Sequence, residues 1–294
     1  MEEQGITQEM LEVDKLKLYL GFDYKINDYI TVKQPTVGNI ALFGEKKYYN
    51  MVYGLCSIPS DMKSQLWDMG IDWNDISDFE LFILLTRQMG VDQTKLILGD
   101  KLDLSKFEIG TGKETGLPLL YCRIDTLFPK EEQGNKKNGL LSKMRKKPNS
   151  RDNIISETMD DYIIIDELVY ERMVMQIRAM HNIKAKVEHA ANKFTKMALI
   201  EEDRQRIQIN QIKKQKNNGD DSILLPLVSA MVNSAEFKYN AQELVNIGIY
   251  QFMDSVQRIQ LIRSSDALLK GIYGGMLDVK SLNKEDLNWL KALS

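Results

Sequence analysis

Asp75, Asp78 and Glu80 stand directly against the apolar run of residues 81–85 in the stretch WNDISDFELFILL, residues 73–85. Carboxylates at that density can hold a divalent cation or move protons. A calcium loop counted from Asp72 fails, because Ile76, Ser77 and Ile83 occupy positions that require Asp or Asn, Gly and Glu. The spacing fits a helix start instead. With Ser77 as N-cap, Glu80 falls at the third helical position and completes a capping box, and Ile76 and Leu81 take the two places of a hydrophobic staple. Asp78 then lies in the first turn, where negative charge meets the positive end of the helix dipole. Phe79, Leu81, Phe82, Ile83, Leu84 and Leu85 leave that helix no polar face, so it should be buried on most sides.

The other reactive patterns are weaker. GTGKETG, residues 110–116, lacks the first glycine of a P-loop, since Phe107 stands five before Gly112, and Glu114 replaces the Ser or Thr that would meet magnesium. Gly110, Gly112 and Gly116 give GxGxxxG, which is not the dinucleotide fingerprint. His181 and His189 lie two helical turns apart and, with Glu188, could share one side of an unbroken helix, but a zinc site wants three ligands at H-E-x-x-H-like spacing. Cys56 and Cys122 have no histidine beside them in sequence. Neither a nucleophile-elbow motif nor a kinase motif set is present. The residues therefore nominate no catalytic, cofactor-binding or metal-binding set, and the chain reads as a non-enzyme without a cofactor.

One charged segment stands out. Lys136, Lys137, Lys143, Arg145, Lys146 and Lys147, followed by Arg151, occur between residues 133 and 151 without an acidic residue among them and beside Gly134, Gly139 and Pro148. This reads as a solvated basic loop, able to touch nucleic acid or an acidic protein through local electrostatics. The whole chain offers no such attraction: 39 Lys plus Arg against 42 Asp plus Glu leave a net charge of -3. Two cysteines are too few for a disulfide-stapled secreted protein. The acidic N-terminus MEEQGITQEM is unlike a signal peptide, and no apolar run approaches the ~20 residues of a membrane span, so a soluble intracellular protein, or one exported without a cleaved signal, is expected.

Around these residues the periodicity outlines a mainly helical α+β chain with a small antiparallel β element in its middle. With 43% hydrophobic residues a real core is available, and methionines such as Met51, Met62, Met89, Met173, Met175 and Met180 suit adaptable core filling. DYITVKQPT, residues 28–36, reads as a strand ending in a turn, and Ile40, Phe43, Tyr48, Met51, Val52 and Leu55 as one broad apolar helical face. Ser60 can cap a short helix that Gly70 closes. Residues 94–126 look β-rich, with a hairpin tip at Thr111–Gly116, and DDYIIID, residues 160–166, should pair with them before Asp166 caps a helix. A long charged helix is expected from Ile183 to Asn217, solvated in its second half. At the end, Asn283 and Asp286 read as cap and third helical residue, with Leu282 and Leu287 as staple. The expected division is 1–93, a β-rich insertion 94–165, and a helical part 166–294 packing on the first.

Two blocks, residues 30–85 and 239–290, carry a resemblance. KQPTVG, PSDMK with DMGID, SDFELF and the closing GIYGG with LNW resemble proteins encoded in tailed bacteriophages and prophages of Firmicutes, similar to tail assembly chaperones or uncharacterised virion components. The resemblance implies a non-enzymatic protein that binds tape-measure or tail proteins in the host cytoplasm, or a baseplate, connector or tail accessory component of the finished virion. Self-association fits either role, and nucleic acid would be met only through the basic loop.

Overall fold

The computed structural model describes residues 13–129, 154–155, 160–216, 222–278 and 283–293. The protein is α+β and predominantly helical. In chain order come α1 (Lys15–Tyr19), β1 (Tyr24–Lys25), β2 (Thr31–Val32), α2 (Val37–Phe43), α3 (Glu45–Cys56), α4 (Lys63–Asp68), α5 (Asp78–Thr86), α6 (Val91–Leu98), β3 (Glu108–Gly112), β4 (Pro118–Arg123) and α7 (Ile124–Leu127). Then follow β5 (Ile154–Ile155), β6 (Tyr162–Ile165), α8 (Glu167–Met180), α9 (Lys193–Lys216), α10 (Leu224–Val232), α11 (Ala241–Leu244) and α12 (Ile249–Tyr273).

Two compact units divide the chain, and they do not follow the three consecutive segments expected from sequence. The first comprises Met1–Val13, Asp23–Lys33 and Lys47–Asp220; the second comprises Asp14–Phe22, Gln34–Lys46 and Asp221–Ser294. The 94–165 segment lies within the first unit, and so do α8 and α9. Side-chain burial explains the regrouping of α8. Its Tyr170 ring packs 4.9 Å from Phe82 and 5.3 Å from Phe79 on α5, and His181 just past its end meets Tyr48 of α3.

In the first unit β3 and β4 form the expected hairpin, with Glu108 opposite Tyr121 and Thr111 opposite Pro118. Gly116 adopts φ +69° in the turn, a conformation that favours glycine. β6 pairs antiparallel with the other side of β4, and the two-residue β5 adds to β3 in parallel, giving the order β5-β3-β4-β6. The β-rich reading of residues 94–107 does not hold. Gly90 starts α6, its N–H donating to the Gln93 side chain, and Thr94, Ile97 and Leu98 bury one stripe at helical spacing. KLIL, residues 95–98, has strand-like residue types, but the i, i+3, i+4 burial decided the outcome.

The second unit is held together by a short extended pairing between distant parts of the chain. Within KQPTVG, the N–H groups of Val37 and Gly38 donate to the carbonyls of Ile247 and Val245 at 2.9 and 3.0 Å, and Ile249 N–H donates to the Pro35 carbonyl at 3.0 Å. Gly38 has no room for a side chain, because a Cβ would stand 2.7 Å from the Val245 carbonyl oxygen. Thr36 caps α2 in a reciprocal box with Asn39, and Gly44 ends it at φ +96°, so the single face expected over 37–55 is split into α2 and α3. The Glu45 carboxylate accepts from the N–H groups of Ile223 and Leu224 at the start of α10. α12 buries Ile249, Phe252, Val256 and Ile259. Asn283 is a cap, as expected, accepting from Glu285 N–H, but the element it opens is a single 3-10 turn, and the Asp286 carboxylate sits 3.6 Å from Lys291 rather than closing a box. Leu282 lies outside the described residues.

Candidate functional site

Within residues 72–80, Asp72, Asp78 and Glu80 serve as structural fittings, and Asp75 is exposed. Ser77 Oγ accepts from Glu80 N–H at 3.1 Å while Glu80 Oε2 accepts from Ser77 N–H at 2.9 Å, the reciprocal box read from sequence. Ile76 and Leu81 both pack in the apolar cluster of Leu66, Trp73 and Ile200. Asp78 lies 4.0 Å from Arg178, and burial holds its carboxyl above the usual range against that cation. Asp72 pairs with Lys196, which lowers its pKa, and accepts from Asn74 N–H. Among the described residues no group of three or more His, Cys, Asp or Glu could hold a metal ion.

The histidines are separated rather than aligned. α8 ends at His181, Asn182 takes φ +52°, and residues 183–192 are not helical, so the long helix expected from Ile183 begins only at Lys193. His181 is partly buried, within 2.6 Å of Tyr48 Oη and 2.8 Å of the Ile177 carbonyl, and desolvation of its ring drives its pKa down to about 4. His189 is exposed. Burial likewise raises the Cys56 thiol to about 12 and Cys122 to about 11, away from the thiolate form. The basic-loop residues Lys136, Lys137, Lys143, Arg145, Lys146 and Lys147 lie outside the described residues.

A different constellation emerges where residues 183–192 run as an irregular strap over the region before and after α4. Ser60, expected to cap that helix, instead accepts from Glu188 N–H at 2.9 Å and donates to the Glu188 carbonyl at 3.2 Å. The cap position is held by Met62, which makes no side-chain cap bond, although Gly70 closes the helix at φ +77° as expected. Trp73 Nε1 also donates to the Glu188 carbonyl, at 3.3 Å, and Asn74 binds Ala190 through both its amide atoms, at 3.0 and 3.3 Å.

Charge is concentrated beneath the strap. Lys63, only 5% exposed, donates to Glu188 Oε2 and to the Ser60 carbonyl, both at 2.7 Å. Lys186 holds the other Glu188 oxygen at 2.6 Å, and the bonds from Lys186 and Lys63 bring the Glu188 pKa down to about 2. Beside it Asp203 of α9, 2% exposed, accepts from Ser64 N–H at 3.1 Å, from Ser64 Oγ at 2.6 Å and from Arg206 at 2.5 Å. Burial pushes the Asp203 carboxyl up, and these donors outweigh it, leaving its pKa below the ordinary value. The arrangement can recognise an extended backbone and one carboxylate; every member already has a partner. Sequence reading missed it because its partners are 115 to 139 positions apart.

Large apolar side chains are open to solvent in both units, Phe194 at 86% in the first. In the second, Leu42 is 89% exposed, and Tyr273 and Met276 are each 86% exposed around the end of α12, with Trp289 and Leu290 also open to solvent. No helix among the described residues is long and apolar enough to cross a membrane.

The fold defines a predominantly helical α+β protein built as two units, with charge buried in the first and large apolar side chains open to solvent in both. A sequence-family model described as the YomV second domain matches residues 213–294, the segment that supplies α10, α11 and α12. YomV is a protein of Bacillus phage and prophage regions, so the matched segment is phage-related, without a mark of the tail module. α1 and α2, which complete the second unit, lie outside the matched residues. No curated protein and no solved structure matches the chain.

Proposed function

We propose that the protein is a non-enzymatic phage assembly protein, chaperone-like, that binds tape-measure or other tail proteins in the host cytoplasm. The observation that carries this reading is the solvent exposure of large apolar side chains in the second unit, Leu42, Tyr273 and Met276 foremost. Covering such surface gains roughly 25 cal/mol per Å², which favours a protein partner. The phage-related segment 213–294 lies in the same unit and supports the setting. The acids of 72–80 support the non-enzymatic side of the reading, since capping and ion pairs account for Asp72, Asp78 and Glu80.

Affinity capture with the tagged full chain from phage-producing cells, followed by mass spectrometry, should return the tape-measure protein or a tail subunit. Tyr273→Ser with Met276→Ser should lose that capture while keeping the helical circular-dichroism signal. A stoichiometric amount of this chain in purified virions would replace the chaperone reading by that of a baseplate, connector or tail accessory component. The triple variant Asp75→Ala, Asp78→Ala, Glu80→Ala should lower the melting temperature and leave partner capture intact. Loss of a phage-linked activity with unchanged melting would revive an enzymatic role.

A further inference from the structure

We propose that the channel holding residues 186–190 is a peptide-recognition groove occupied here by the chain's own strap. In exchange it takes an extended segment of a partner protein that carries a carboxylate and, two residues later, a small apolar side chain.

Three features of the contact set the chemistry. The groove reads backbone: Ser60, Trp73 and Asn74 bind the N–H and carbonyl groups of Glu188 and Ala190, groups that any extended segment presents. It reads alternate side chains, as extended recognition does. Glu188 meets Lys63 and Ala190 enters the apolar cluster of Leu66, Trp73 and Leu81, whereas Val187 and His189 between and before them are exposed. It also demands charge. An ammonium as buried as Lys63 is costly without a carboxylate, so an occupant that displaces Glu188 must bring its own acid.

The strap is held at Glu188 and Ala190, and the residues before them are open to solvent. Residues 182–192 form neither helix nor strand, Lys184, Ala185, Lys186 and Val187 are exposed, and Asn182 at the hinge is the one non-glycine residue with positive φ among those described. Past the strap's N-terminal end, a cleft of about 460 Å³ lined by Tyr53, Met62, Leu85 and Ile183 gives room for preceding residues of a longer occupant. This inference does not rest on the phage reading, which draws on the second unit.

The test uses the full chain and a labelled peptide, KAKVEHAAN, corresponding to residues 184–192. In the Glu188→Lys chain, like charge against Lys63 expels the strap, and fluorescence anisotropy should show saturable peptide binding at least tenfold tighter than to the unaltered chain. A peptide carrying the same Glu188→Lys change, or a chain that also carries Asn74→Ala, should lose at least tenfold of that affinity. In the unaltered chain, excess peptide should speed hydrogen exchange at the N–H groups of Glu188 and Ala190 and leave α5 unchanged. The proposal is overturned if a Glu188→Lys chain with intact helical signal binds no peptide, or binds it regardless of the peptide's carboxylate. It is overturned equally if the strap amides exchange only together with α5, or if the opened chain forms a dimer that the peptide does not dissolve.

Discussion

Two groups of carboxylates in the first unit do opposite things with similar chemistry. Asp72, Asp78 and Glu80 sit in or just before the first turn of α5; Glu80 answers a residue three positions away, Asp78 faces Arg178 and Asp72 faces Lys196. Glu188 and Asp203 also bridge more than a hundred residues, as Asp72 does, but they join the strap and α9 to Lys63 and Ser64, which are buried. In the first group Glu80 is exposed and Asp72 and Asp78 are partly so, and capping and ion pairing there are worth tenths to one kcal/mol each. The second faces partners that are nearly sealed from solvent, where a missing partner leaves a charge or donor uncompensated. Acidic clustering in sequence thus marked the weaker of the two sites.

That contrast can be broken by substitution, read as unfolding free energy in urea. Glu188→Ala should cost the most, about 3 kcal/mol, because it strands the Lys63 ammonium. Pairing it with Lys63→Met should recover much of the loss, and an undiminished loss would mean that Lys63 was never the dependent partner. Asp203→Ala should cost about 2 kcal/mol, by orphaning the buried Ser64 N–H and hydroxyl. Ser77→Ala removes only a helix cap and should cost about 1 kcal/mol. If Ser77→Ala proves as damaging as Glu188→Ala, the ranking of the capping box below the buried Lys63 pair is wrong.

Acid titration sharpens the same comparison. The folded Glu188 pKa of about 2 lies below its ordinary value of 4.5, so its contribution is fully present above 4.5 and is lost as pH falls toward 2. His181 acts higher up: its folded value of about 4 lies below 6.5, so the unfolded chain takes up the proton first, and stability falls between 6.5 and 4. Glu188→Gln should flatten the lower limb of the stability curve and leave the upper one in place.

Much of the local structure could be read directly. The Ser77–Glu80 box, the β3–β4 hairpin, the pairing of β6 with β4, the Asp166 cap on α8 and the closure at Gly70 all follow from contacts within a few residues or from strongly patterned strands. The failures share a cause. Residues 95–98 went helical because of which side the core lay on, and residues 183–192 stayed irregular because Ser60, Trp73 and Asn74 hold their backbone. Ser60 left its expected capping role for the same contact.

By itself the sequence determined the class of fold and some helix starts, those at Ser77 and Asp166, since capping and hairpin turns use atoms that sequence spacing already brings within bonding reach. The tertiary structure alone decided that α1 and α2 join the C-terminal helices in one unit, and that Lys63, Glu188, Ser64 and Asp203 meet. The reason is physical: a buried charge accepts whichever partner the packed chain delivers, and no local period records where that partner will come from.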